Sequence, residues 1–186
     1  DFCMNLPIII YIVFIMIYRL AEHWAMGRAG SLNRRARPET SALLIAVPYY
    51  IIMVGAMIEY FWFEISPDLI FMISGCIFFL GATLIRAKAH IDLGTAFSMF
   101  IEKDAESGIV RSGLYAHIRH PLYLANILLF VACPLFLRSR FTWVVTFLGL
   151  LGVIIRIRVE EQFLREQAEE YQEYESETWA LIPGLF

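Results

Sequence analysis

Residues 113–123 read Gly-Leu-Tyr-Ala-His-Ile-Arg-His-Pro-Leu-Tyr, and they stand between two long apolar regions. Two of the chain's four histidines, an arginine and two tyrosines fall within this stretch. Pro121 locks one backbone angle and biases His120 away from helix. A helix therefore starts at Pro121, where the missing N–H costs nothing. The free N–H groups of that helix end, with Arg119 and His120, are expected to face an anionic or polar ligand at the edge of a bilayer. The plainer reading is a polar turn at a membrane interface, with Tyr and His as amphipathic anchors.

Downstream, residues 122–137 and 141–155 are apolar runs joined by the basic turn Arg138-Ser139-Arg140. Both are short for full spans, so they predict a helical hairpin that is tilted or does not cross completely. Gly149 and Gly152 allow its helices to pack closely. The tail from Arg156 to Glu177 is charged and helical in character, with eight glutamates between Glu160 and Glu177. Most of these read as a solvated acidic face. Arg156 and Glu160 differ, because they lie four apart on one helical face where the apolar run ends. Ionisable residues at that depth usually have partners or ligands.

Upstream, a polar segment from Arg86 to His120 is too long for a bare connector. Before it come three apolar runs, at residues 6–20, 42–63 and 69–85, each reading as a spanning helix. The first is too long for a signal-peptide core. Pro48 within the second is tolerable in a membrane helix. The basic loop carrying Arg28, Arg34, Arg35 and Arg37 is expected on the cytoplasmic side, which places Glu64–Asp68 outside and residues 86–120 back in the cytoplasm. Trp24, Trp62 and Trp179 read as interface anchors.

Composition agrees. The 186 residues are 59% hydrophobic and 18% charged, far from a soluble average. The basic residues are scattered at span ends, which argues against a nucleic-acid partner. Cys3, Cys76 and Cys133 are spread singly, so neither a disulfide framework nor a zinc site is expected. His117 and His120 lack nearby Cys or carboxylate partners, and no metal is expected. The fold class is thus all-α: a polytopic membrane protein of about five transmembrane helices, the last two a hairpin, with a cytoplasmic polar segment and a C-terminal helix. A single integral-membrane domain accounts for residues 1–186, with three spanning helices in 1–88 and, in 89–186, the polar segment, hairpin and tail, the part to which the resemblance described next assigns cofactor binding.

The ordered set Arg119-His120-Pro121-x-Tyr123, a helical hairpin, then Glu160-Glu161 resembles the isoprenylcysteine carboxyl methyltransferase family, part of a wider group that includes phospholipid N-methyltransferases. Asp92-Leu93-Gly94 and Gly108-Ile109-Val110-x-x-Gly113-x-Tyr115 resemble the family's lead-in. Tyr171, Tyr174 and Leu181-Ile182-Pro183 resemble its ending. The likeness covers about residues 90–185. Two positions depart from the pattern: Ala168 alone precedes Glu169-Glu170-Tyr171 where Phe-Gly is usual, and Ala180 stands where an arginine is common.

The resemblance implies an S-adenosylmethionine-dependent methyltransferase with its cofactor at the cytoplasmic edge beneath the C-terminal segment. Carried over by motif, the cofactor-binding set is Ile109, Val110, Tyr115, His120, Pro121, Leu122, Tyr123 and Glu160, and Arg156 is the arginine that positions the acceptor. The acceptor implied is lipid-like or amphipathic, a prenylcysteine-type carboxylate being one form of it; amines and thiols also stay open. The other partners are membrane lipids. Two further readings stand beside it: an NADPH-dependent membrane reductase of the sterol type, and a non-catalytic membrane factor of the same fold. The acidic tail argues against the reductase, which needs basic residues for a 2′-phosphate.

Overall fold

The computed structural model describes residues 2–29, 40–94, 109–167 and 170–184. The basic stretch 30–39 and the 95–108 part of the polar segment lie outside the described residues. Helix α1 runs Phe2–Ala29, α2 Leu43–Trp62, α3 Leu69–Leu93, α4 Pro121–Phe136, α5 Thr142–Gln167 and α6 Glu170–Glu177. No strand occurs among the described residues; a single parallel bridge joins Ile118 to Trp179. Helices α1, α2, α3 and α5 are each long and apolar enough to cross a membrane, and α4 is a shorter apolar helix. The all-α polytopic reading holds.

Three helices outrun their apolar runs. Helix α1 passes Leu20 to Ala29, α3 passes Ile85 to Leu93, and α5 passes Ile155 to Gln167. The charges that mark the ends of those runs are neutralised within the bundle instead of breaking it. Glu22 of α1 is buried and accepts from Arg86 of α3 and from Arg19 at 2.5 Å. A second nitrogen of Arg86 reaches Asn126 of α4 at 2.9 Å. A buried charge persists only when paired and hydrogen-bonded, and this cluster ties three helices together.

The hairpin goes deeper than its apolar runs suggest. A 26-residue α5 is about 39 Å long, enough for the hydrocarbon core. Its turn packs beside the α2–α3 turn: Arg138 stands 4.0 Å from Asp68, and the Phe63 and Phe141 rings are 5.6 Å apart. Glu59 of α2 caps the start of α5, accepting from the amides of Phe141 at 3.0 Å and Thr142 at 2.9 Å. Gly152 faces α2 rather than α4; a Cβ there would lie 2.5 Å from the Leu44 carbonyl oxygen. Gly149 meets both Phe130 of α4 and Pro48 of α2. On the other side of the core, Tyr11, Phe14, Phe79 and Phe136 join α1, α3 and α4 through ring contacts of 5.4–6.3 Å.

These contacts put the ends of α1, α3 and α5 and the starts of α2 and α4 at one end of the bundle. The polar motif lies there.

Candidate functional site

The motif is held from two sides. Gly113 opens a 3-10 turn, Gly113–Ala116, with a positive φ of 62°. That angle suits glycine, and a Cβ would lie 2.2 Å from a carboxylate oxygen of Asp92. Asp92, in the last turn of α3, accepts from the Leu114 amide at 2.8 Å and pairs with Lys88. The turn carries Tyr115, which is buried, and whose carbonyl accepts from the Tyr174 hydroxyl of α6 at 2.7 Å. Burial and the nearby charge of Glu160 push the Tyr115 phenol well above its ordinary pKa. Burial likewise pushes Tyr174 up to about 12.

After the turn the chain runs beside the tail. Trp179 donates its amide to the His117 carbonyl at 3.0 Å; Arg119 and His120 donate theirs to the carbonyls of Trp179 at 2.8 Å and Ala180 at 3.0 Å. Ala180, at the position where an arginine is common, thus makes its contact through the backbone. Ala168 and Glu169 lie outside the described residues. His120 is non-helical, at φ −123° and ψ 56°, and Pro121 takes the first helical position as expected.

Arg119 does not face a ligand. Its guanidinium donates to Glu161 at 3.0 Å, to the Glu175 carbonyl at 3.0 Å and to the Thr178 carbonyl. It fastens the tail to α5, because a fixed fork of donors satisfies one carboxylate and two carbonyls at once. The Tyr123 amide is turned to the His120 carbonyl at 3.1 Å. Of the two side chains read as ligand-facing at this helix start, Arg119 and His120, His120 is left.

Of the assigned side chains, His120, Tyr123, Arg156 and Glu160 meet between α4 and α5. Tyr123 donates its hydroxyl to Glu160 at 2.5 Å, and the Arg156 Nε donates to the Tyr123 hydroxyl oxygen at 3.2 Å. Arg156 is buried, at 2% exposure, and also reaches the Ser41 hydroxyl just ahead of α2. The His120 ring, buried and 5.5 Å from that of Tyr123, has its Nε2 3.2 Å from Glu161. Pro121 is buried beside them; Ile109, Val110, Leu122 and Glu160 are half-buried.

Three contributors escape sequence reasoning. Glu161 is buried between His120 and Arg119, unlike the solvated glutamates around it. Its signal was its place one residue after Glu160 and one turn before Arg165. Asp92 enters the sequence reading only within the lead-in that resembles the family, yet it anchors the turn; the glycine at 113 is the clue to a close approach. Ser41 carried no signal, since its contact with Arg156 spans 115 residues of chain.

Residues 75–166 match the model of the isoprenylcysteine carboxyl methyltransferase (ICMT) family. By these residues the chain belongs to that family. The match spans α3 from Gly75 onward, the motif, α4 and nearly all of α5, and contains every residue assigned to the site. The ICMT family's usual cofactor is S-adenosylmethionine. The chain is therefore an integral membrane protein of a methyltransferase family. No curated protein matches it.

Proposed function

We propose that this ICMT family member transfers a methyl group from S-adenosylmethionine to a lipid-like or amphipathic acceptor at the cytoplasmic membrane edge, within one membrane domain of residues 1–186. The observation that carries this reading is the Tyr123 hydroxyl, which links Glu160 and Arg156. One carboxylate and one buried guanidinium are thereby held side by side, each with a fixed orientation.

The residues fit the cofactor. Glu160 offers a carboxylate to hydroxyl or ammonium donors, and its charge suits a cation. Tyr115, Ile109, Val110, Pro121 and Leu122 provide largely apolar cover that excludes water from an adenine-sized group. The His120 ring is kept in place by Glu161. When bound, S-adenosylmethionine supplies an electrophilic methyl on a sulfonium. Arg156 holds an anionic acceptor with bidentate geometry, for which a carboxylate is the best match. A carboxylate or thiolate nucleophile needs no general base, so holding both reactants in register supplies most of the rate. A lipid-like acceptor enters sideways from the bilayer and the cofactor from the aqueous side.

Calorimetric binding to detergent-purified protein tests this. Measurable affinity for S-adenosylmethionine or its demethylated product, with none for NADPH, is the expected outcome. NADPH binding in its place would promote the reductase, and no binding of either would leave a non-catalytic membrane factor.

A further inference from the structure

Tyr171 is one of the most deeply buried side chains, at 1% exposure, and its hydroxyl has no hydrogen-bond partner among the described residues. A buried hydroxyl without a partner costs stability, and phenylalanine in the same place would not. Such a group calls for a partner that the chain itself does not provide.

Its location says which. Tyr171 opens α6, the helix pinned over the motif by Tyr174 on Tyr115 and by Arg119 on the Glu175 carbonyl. Its ring packs edge-on against Tyr174, with centroids 6.0 Å apart. The charges that act on its phenol are those of Glu161, Arg119, Glu160 and Glu175. Glu161 is engaged by Arg119 and His120, Glu160 by Tyr123, and Glu175 by Arg165. The phenol is thus a donor in reserve near Glu160, the one of these carboxylates that the cofactor assignment uses.

We propose that the Tyr171 hydroxyl is a further cofactor-binding group, donating a hydrogen bond from the tail to the nucleoside–amino-acid sulfonium cofactor. This rests on the methyltransferase reading above. It adds a contact from α6, beyond the part of the chain that matches the family. A donor there makes closure of the tail and capture of the cofactor one event.

Tyr18 supplies a matched control. Its hydroxyl is also buried and unpartnered among the described residues, but its ring lies 5.5 Å from the Arg86 guanidinium, on the α1–α3 side of the bundle. The test compares the full-length wild type, Tyr171→Phe and Tyr18→Phe in detergent. Melting is read without ligand, and calorimetry reads affinity for S-adenosylhomocysteine. Tyr171→Phe should melt at or above the wild-type temperature and bind about three- to tenfold more weakly, the cost of one neutral hydrogen bond. Tyr18→Phe should melt at or above wild type with unchanged affinity. Equal affinity in Tyr171→Phe and a binding-competent wild type overturns the Tyr171 assignment and leaves the methyltransferase reading intact. A Tyr171→Phe protein that melts lower without ligand makes the hydroxyl structural and overturns the assignment as well. Absence of binding in the wild type removes both.

Discussion

Tyr123 on α4 donates its hydroxyl to Glu160 on α5 across 2.5 Å, and its oxygen accepts from Arg156 at 3.2 Å. The residue proposed for the cofactor and the residue proposed for the acceptor, one helical turn apart, therefore share Tyr123 as a bridge. Removing Glu160 should act on the cofactor. Glu160→Gln loses a charged acceptor, worth about 1.5–3 kcal/mol, or roughly ten- to a hundredfold in S-adenosylmethionine affinity. Arg156→Ala should leave that affinity nearly intact and lower transfer to the acceptor. If the three residues merely brace α4 against α5, both variants will lose melting temperature and cofactor affinity together, and the double variant will be little worse than either. Calorimetry and melting in detergent separate the two outcomes.

The Tyr115 turn gives a second prediction. Gly113→Ala must place a methyl group in a left-handed conformation and against Asp92, so it should destabilise by at least about 1 kcal/mol and weaken cofactor binding through Tyr115. Asp92→Asn keeps an oxygen to accept from the Leu114 amide and should be mild; Asp92→Ala leaves that amide without its partner and should resemble Gly113→Ala. Melting and S-adenosylhomocysteine affinity report both. An Asp92→Ala protein with wild-type affinity would show that the turn holds its shape without the clamp.

Much of this arrangement is legible in the amino-acid sequence. Pro121 announces the start of α4, and the four-residue spacing puts Arg156 and Glu160 on one helical face; that both meet Tyr123 comes from the fold. What was not legible depends on pairings far apart in the chain. Glu22 and Arg86 look like helix-ending charges until each is seen to neutralise the other across 64 residues. Arg119 looks like an anion ligand until the tail folds over it and offers two carbonyls. Helix periodicity tells which residues share a face, and it is silent on which face meets which.

Sidedness provides a third prediction. The basic residues of 28–37 are expected on the cytoplasmic side, and the bundle puts Ser176 at the same end as the site and Arg140 at the other. Single cysteines at Asn33, Ser107 and Ser176 in a background with the three native cysteines replaced should label from the cytoplasmic side, and one at Arg140 from the opposite side. The pairing of Arg138 with Asp68, and its guanidinium 5.4 Å from the Phe71 ring, lets a basic turn reside outside against the charge rule. Labelling of Arg140 and Ser176 positions from one side would break the topology.

The closure of the tail should depend on pH in the acid range. Glu175 accepts from Arg165 at 2.8 and 2.5 Å and stands 3.9 Å from Arg119. Its hydrogen bond to Arg165 holds its carboxyl below the ordinary carboxylate range, against a smaller opposing effect of burial. The docked tail therefore binds fewer protons than the undocked one over that range. Docking is favoured by this pair at full strength above the ordinary glutamate pKa of about 4.3, and the contribution is lost as pH falls through the lower value of the docked state. Arg165 is nearly half exposed, so the effect is small and screened by salt. Trp179 reports it, because its amide and carbonyl are bonded to the motif. In a protein whose other tryptophans are replaced by phenylalanine, Trp179, already about half exposed in the docked tail, should shift the rest of the way toward the emission of free indole below about pH 4, and earlier at high ionic strength. Glu175→Gln should flatten that part of the curve and loosen the tail at neutral pH. A Glu175→Gln curve superimposable on wild type would assign the acid response to another carboxylate, with Glu161, between Arg119 and His120, the next to substitute.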